Sequence, residues 1–205
     1  MPSNRAERRL AAILAADMVG YSRLMEIDET GTLDRFRQIR HDLIDPKIAE
    51  YRGRIVKTTG DGFLAEFASV TDAVQSCVDM QHAMADRNES AAPDRRIDFR
   101  MGVNLGEIII EDGDIYGTGV NVAARLEPLA EPGGIQISGS VHDQIQSILN
   151  LGFKDMGEAS VKNIAAPIRN FKVNLGGEDA NVATTSSPPV SKHEKSTIAI
   201  LPFEN

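Results

Sequence analysis

The sequence predicts an α+β domain built on a mainly antiparallel sheet. Three observations carry this. Short apolar runs of strand length alternate with segments of helical period, two strand-like runs flank the turn triplet Gly60-Asp61-Gly62, and the elements fall in the order strand, helix, strand, strand, helix, strand. A chain of 205 residues holds one domain with an extension, or two small ones. Hydrophobic residues at 41% and charged residues at 25% supply a core and exclude a wholly disordered chain.

Leu10 to Ala16 is an apolar run closed by Asp17 and reads as a buried strand. Arg5, Arg8 and Arg9 before it imitate the start of a secretory leader, but the run is too short and passes into an ordinary folded pattern. From residue 22 to 51, Leu33, Phe36, Ile39, Leu43, Ile44 and Ile48 recur at helical spacing. This is one long helix or two segments, with irregularities near Gly31 and Pro46. Residues 54–59 and 63–67 form a hairpin around Gly60-Asp61-Gly62. Val70, Ala73, Val74, Cys77, Met80 and Met84 then mark a helix over 69–87. Residues 97–103 and 107–110 read as two strands parted at Gly106, and 120–130 as a helix stopped by Pro132-Gly133-Gly134. This order is the ferredoxin-like (split βαβ) pattern, an antiparallel sheet core with helices on one face, an added strand pair and a C-terminal αβ extension. Residues 1–174 are expected to form the folded domain. The stretch 175–196, rich in Gly, Ser, Thr and Pro, is expected to be a flexible linker, and 197–205 (TIAILPFEN) the first strand of a truncated second domain.

A net charge of −8 argues against a nucleic acid or an anionic membrane surface as partner, because the long-range field repels both. Any bound phosphate must be held locally. The one cysteine, Cys77, has no internal disulfide partner, which fits a reducing, cytoplasmic setting. No apolar run approaches the roughly 18 residues of a membrane span. His41, His82, His142 and His193 lie without metal-ligand spacing.

Chemistry gathers elsewhere. Asp17 closes a strand and Asp61 sits at a hairpin tip. Two carboxylates at adjacent strand ends suit a hard divalent cation, which takes oxygen ligands and completes its shell with water and phosphate. Singly, one is an N-cap and the other a turn residue. Gly20 to Ser22 opens a helix whose free N–H groups could meet an anion. Asn121 and Arg125, four apart, share one helix face, and Ala123, Ala124, Gly117 and Gly119 around them imply close packing in which a charged Arg needs a partner or ligand.

Four segments extend the pattern: Ala16-Asp17-Met18-Val19-Gly20-Tyr21-Ser22; Lys57-Thr58-Thr59-Gly60-Asp61-Gly62-Phe63; Gly102-Val103-Asn104-Leu105-Gly106-Glu107; and Asp114 through Arg125. With these, the chain from about residue 8 to 173 resembles the class III nucleotide cyclase catalytic domain, the adenylate and guanylate cyclase family. The resemblance implies two divalent cations, Mg²⁺ or Mn²⁺, held by Asp17 and Asp61 with the Met18 carbonyl. It implies Lys57 and Asp114 as the base-selecting pair, Asn121 as the ribose-orienting residue, Arg125 as the stabiliser of phosphate charge in the transition state, and Lys162 as a triphosphate contact. It also implies a head-to-tail homodimer with two shared sites, metal ligands from one subunit and Lys57, Asp114, Asn121 and Arg125 from the other. The terminal strand resembles the start of a TolB-like domain.

Cyclisation needs the ribose 3′-hydroxyl to attack the α-phosphate in line with departing pyrophosphate, and metals with an arginine meet that need. Adenine offers an acceptor at N1 and a donor at its 6-amino group, matching a Lys donor and an Asp acceptor; guanine reverses both. The expected activity is therefore conversion of ATP to 3′,5′-cyclic AMP. The family often has Phe two residues before the first metal aspartate and Trp two after the base-contacting acid, where this chain has Ala15 and Tyr116. A guanylate cyclase is the nearest alternative. A non-catalytic cyclase homology domain would be expected to lose a metal aspartate, Asn121 or Arg125, and none is lost. A palm-type polymerase or cyclic-dinucleotide synthase would carry a Gly-Gly-acid-acid turn, which is absent.

Overall fold

The computed structural model describes residues 7–159 and 167–176. Its sheet has eight strands: β1 (Glu7–Met18), β2 (Arg54–Thr58), β3 (Gly62–Phe67), β4 (Phe99–Glu111), β5 (Asp114–Tyr116), β6 (Ile135–Ser138), β7 (Gly152–Ala159) and β8 (Ile168–Asn174). Their order is β2-β3-β1-β4-β6-β8-β7, with β5 paired to β4 outside that path. The first four strands stand in the order expected of a split βαβ core, with β1 antiparallel to β3 and to β4. The β4–β6 pair alone is parallel. The α+β, mainly antiparallel class follows the sequence.

Six helices accompany the sheet: α1 (Tyr21–Ile27), α2 (Glu29–Ile39), α3 (Asp45–Glu50), α4 (Val70–Glu89), α5 (Thr118–Leu126) and α6 (Gly139–Ile145). The segment expected as one or two helices is three, joined by a π turn at Arg40–Ile44. The first break falls at Asp28, whose carboxylate accepts the Gly31 N–H at 2.9 Å and so caps α2. The widened turn sits just before Pro46, which has no N–H to continue the ladder. Ser69 caps α4 by accepting the Asp72 N–H.

Alternation along β1 divides the core in two. Ala12, Leu14, Ala16 and Met18 face α1–α4 and α6 and form the larger cluster with Phe36, Phe67, Phe99 and Met101. Ala11, Ile13 and Ala15 face the other side, against Ile108, Ile115 and Ala123. The helices of the split βαβ core thus share one face as expected, whereas α5 lies alone on the opposite one.

Gly106 is no strand break. β4 runs unbroken through it, and its lack of a side chain admits α5: a Cβ there would stand 2.7 Å from the Gly119 Cα. The reversal comes at Asp112-Gly113, both at positive φ (51° and 84°), the backbone of a tight hairpin turn. Cys77 is fully buried in α4, on the apolar face expected for it. No helix among the described residues is long and apolar enough to cross a membrane. The expected linker beyond residue 176 and the strand at 197–205 lie outside the described residues.

Candidate active site

Asp17 and Asp61 meet because β1 and the hairpin end together. Asp17 pairs with Gly62 across β1 and β3, and the Met18 N–H donates to the Asp61 carbonyl at 2.8 Å. Gly62 makes the approach possible, since a Cβ there would fall 2.3 Å from the Ala16 carbonyl oxygen. Burial raises the Asp17 pKa above its ordinary value, the hydrogen bond from Arg100 at 3.0 Å opposes this, and the negative charge of Asp61 raises it further.

The motifs had not pointed to the other members of this corner. Glu127, at the end of α5, is buried with its Oε1 atom 3.1 Å from Arg100 Nε. Burial pushes its pKa up to about 7, with the charges of Asp17 and Asp61 adding and that of Arg100 subtracting. One guanidinium therefore serves two carboxylates. Among the described residues no three His, Cys, Asp or Glu side chains form a group that could hold a metal ion by themselves. Asp17 and Asp61 fit a hard cation that draws the rest of its shell from water and phosphate oxygens, and such a cation would offset both the burial and, secondarily, the like charge of Asp61 that raise the pKa of Asp17.

Lys57 on β2 and Asp114 at the start of β5 are 57 residues apart in sequence and 3.3 Å apart in space. The other Asp114 oxygen accepts the Ile115 N–H at 2.8 Å, and these contacts hold the carboxyl below its ordinary range, the backbone bond first. The Tyr116 hydroxyl stands 3.4 Å from the same oxygen that Lys57 meets.

On α5, Val122, Ala123 and Leu126 are buried, while Asn121, Ala124 and Arg125 are exposed. The close packing inferred from the small residues holds at Gly117, Gly119 and Ala123, whereas Ala124 is exposed. Among the described residues no hydrogen bond or ion pair engages Asn121 or Arg125 through its side chain. A cleft of about 260 Å³ on the α5 face collects Asp17, Lys57, Thr59, Val120, Ala124 and Glu127. Gly20 enters α1 in the left-handed conformation, φ 67°. Lys162 lies outside the described residues.

This sheet, with paired aspartates at one strand end and a Lys–Asp pair beside them, defines a nucleotide-cyclase-like catalytic fold. Residues 5–174 match the family described as the adenylate and guanylate cyclase catalytic domain, and the chain belongs to that family. It is 44% identical over 208 residues to a Rhizobium meliloti protein provisionally named adenylate cyclase 3, a match covering 100% of this chain and 35% of that one. It is 31% identical over 143 residues to an adenylate cyclase of Streptomyces coelicolor, covering 68% and 35%. The chain thus spans about a third of the length of these two relatives. Among solved structures, an adenylate/guanylate cyclase/hydrolase from Silicibacter pomeroyi superposes with a TM-score of 0.78 at 51% identity, covering 82% of this chain and 98% of that one. The adenylyl cyclase CyaB from P. aeruginosa, at 22% identity and a TM-score of 0.69, covers 83% and 96% and shares the fold.

Proposed function

We propose that this chain converts ATP to 3′,5′-cyclic AMP and pyrophosphate at sites shared by two head-to-tail copies, in the cytoplasm where ATP is supplied. The observation that carries the choice of ATP is the Lys57–Asp114 pair, a fixed donor beside a fixed acceptor at 3.3 Å. Lys57 donates to adenine N1 and Asp114 accepts from the 6-amino group. Guanine in the same pose sets its N1–H against the ammonium and its O6 against the carboxylate, leaving polar groups mispaired.

Asp17 and Asp61, with the Met18 carbonyl, would hold two divalent cations, Mg²⁺ or Mn²⁺, which supply activation of the 3′-hydroxyl and neutralisation of the leaving pyrophosphate. Asn121 fixes the ribose so that the 3′-oxygen faces the α-phosphorus. Arg125 balances the charge that builds on the phosphate oxygens, and Lys162 contacts the triphosphate. The exposure of Asn121 and Arg125 on a single chain supports the shared site, because their role needs groups brought to them from outside.

The test is product formation from ATP and, separately, GTP with Mn²⁺ or Mg²⁺ over a range of protein concentrations. Cyclic AMP that rises faster than linearly with protein supports the reading. Cyclic GTP as the main product would make the chain a guanylate cyclase, and no cyclic product from folded, dimeric protein would make it a nucleotide-binding module.

A further inference from the structure

We propose that Arg54, held by the buried carboxylate of Glu66, is a positioning residue that sets the spacing of Lys57 and Asp114 and thereby the choice between purine bases. This rests on the reading of Lys57 and Asp114 as the base-reading pair.

Strand β2 carries a bulge between Ile55 and Lys57. Across β2 and β3, Arg54 pairs with Glu66, Ile55 with Ala65, and Lys57 with Leu64, so Val56 is an extra residue. In an unbroken strand residues 54 and 57 point to opposite faces. The bulge turns Lys57 back to the face that carries Arg54, Leu64 and Glu66.

On that face Arg54 spreads its guanidinium over two partners. Nε and Nη2 lie 3.0 and 2.8 Å from Glu66 Oε1, and Nη1 donates to the Gly113 carbonyl at 3.0 Å. Gly113 immediately precedes Asp114 in the positive-φ turn between β4 and β5. Among the described residues, this is the one side-chain hydrogen bond to the Asp112-Gly113 turn. A single side chain thus ties the strand bearing Lys57 to the turn that presents Asp114.

The arrangement is costly for stability alone. Glu66 is only 7% exposed, takes a second guanidinium from Arg9 at 2.8 Å, and leaves its Oε2 atom buried without a hydrogen-bond partner. An apolar pair at 54 and 66 would join β2 to β3 as well. It could not offer a fixed donor to Gly113. The fork geometry of arginine does, and lysine cannot copy it.

Arg54 is half exposed and Glu66 keeps Arg9 in its absence, so Arg54→Met is expected to fold. The experiment compares wild type, Arg54→Met, Arg54→Lys and Glu66→Gln in ATP and GTP binding by titration calorimetry and in kcat/KM for each nucleotide. The expected result is a fall of about ten-fold in the ATP-over-GTP ratio for Arg54→Met and Glu66→Gln, carried by KM, with a smaller fall for Arg54→Lys. An unchanged ratio in binding and turnover, even with a lowered Tm, would reduce the clamp to a structural brace and overturn the proposal. Wild-type protein that binds ATP and GTP equally would overturn the base-reading assignment and the clamp with it.

Discussion

At the Asp17 end of the cleft, carboxylates are crowded and partly buried, and they share one guanidinium. Around Asp114, a single carboxylate meets a lysine, a backbone N–H and a tyrosine hydroxyl. The consequences are opposite in sign: pKa values rise at Asp17 and Glu127 and fall at Asp114. The first corner is short of positive charge and suits an incoming cation. The second is already satisfied and suits the reading of a neutral ring, where fixed polarity discriminates better than net charge. One hairpin serves both, with Lys57 on β2 and Asp61 at its tip.

The contrast can be broken from either end. Asp61→Ala should lower cyclic nucleotide formation by about a thousandfold or more while the ATP-over-GTP preference in binding persists. Lys57→Met should do the reverse, costing about a hundredfold in the ATP-over-GTP ratio of kcat/KM with smaller loss of the metal-dependent rate on the favoured substrate. Steady-state kinetics with both nucleotides separates the two.

Gly106→Ala probes the packing that sets α5 between the corners. Its Cβ would meet the Gly119 backbone, so the variant should lose about 1–3 kcal/mol in denaturant unfolding. Unchanged stability would mean that α5 can lift from β4 freely.

The smallest effect is a pH dependence in metal-free protein. The folded pKa of Glu127, about 7, lies above the 4.5 of the unfolded chain, so between those values the folded state binds more protons. Stability from this group therefore falls as pH rises from about 5 to about 7. Thermal unfolding in chelator should show a smaller loss over that window in Glu127→Gln than in wild type. Identical slopes would place Glu127 in a wetter site than its burial indicates.

Local chemistry made the early part of the fold legible. The apolar run of β1, the Gly-Asp-Gly hairpin and the period of α4 each announce one element without help from the rest. Gly106 misled because a glycine between two apolar runs looks like a turn, whereas its small size serves the close approach of α5. The true turn, Asp112-Gly113, carried a hairpin signal that the three residues of β5 after it were too few to advertise. At the site, Asp17, Asp61, Lys57 and Asp114 stood out by motif; the β1–β3 register brings Asp17 to the Asp61 turn, while Lys57 and Asp114, on strands that do not pair, meet through their side chains. Arg100 and Glu127 did not, since they are 27 residues apart and meet only where the end of α5 packs over β4. The Val56 bulge was equally hidden, because a bulge is fixed by pairing rather than by residue type.

The acidic corner and the α5 groups are proposed to act together across two copies of the chain. Asp17→Ala and Arg125→Ala proteins, each inactive alone, should regain cyclic AMP formation when mixed, to about half the wild-type rate per heterodimer because one of its two sites is intact. Mixing that forms heterodimers yet restores no activity would contradict it.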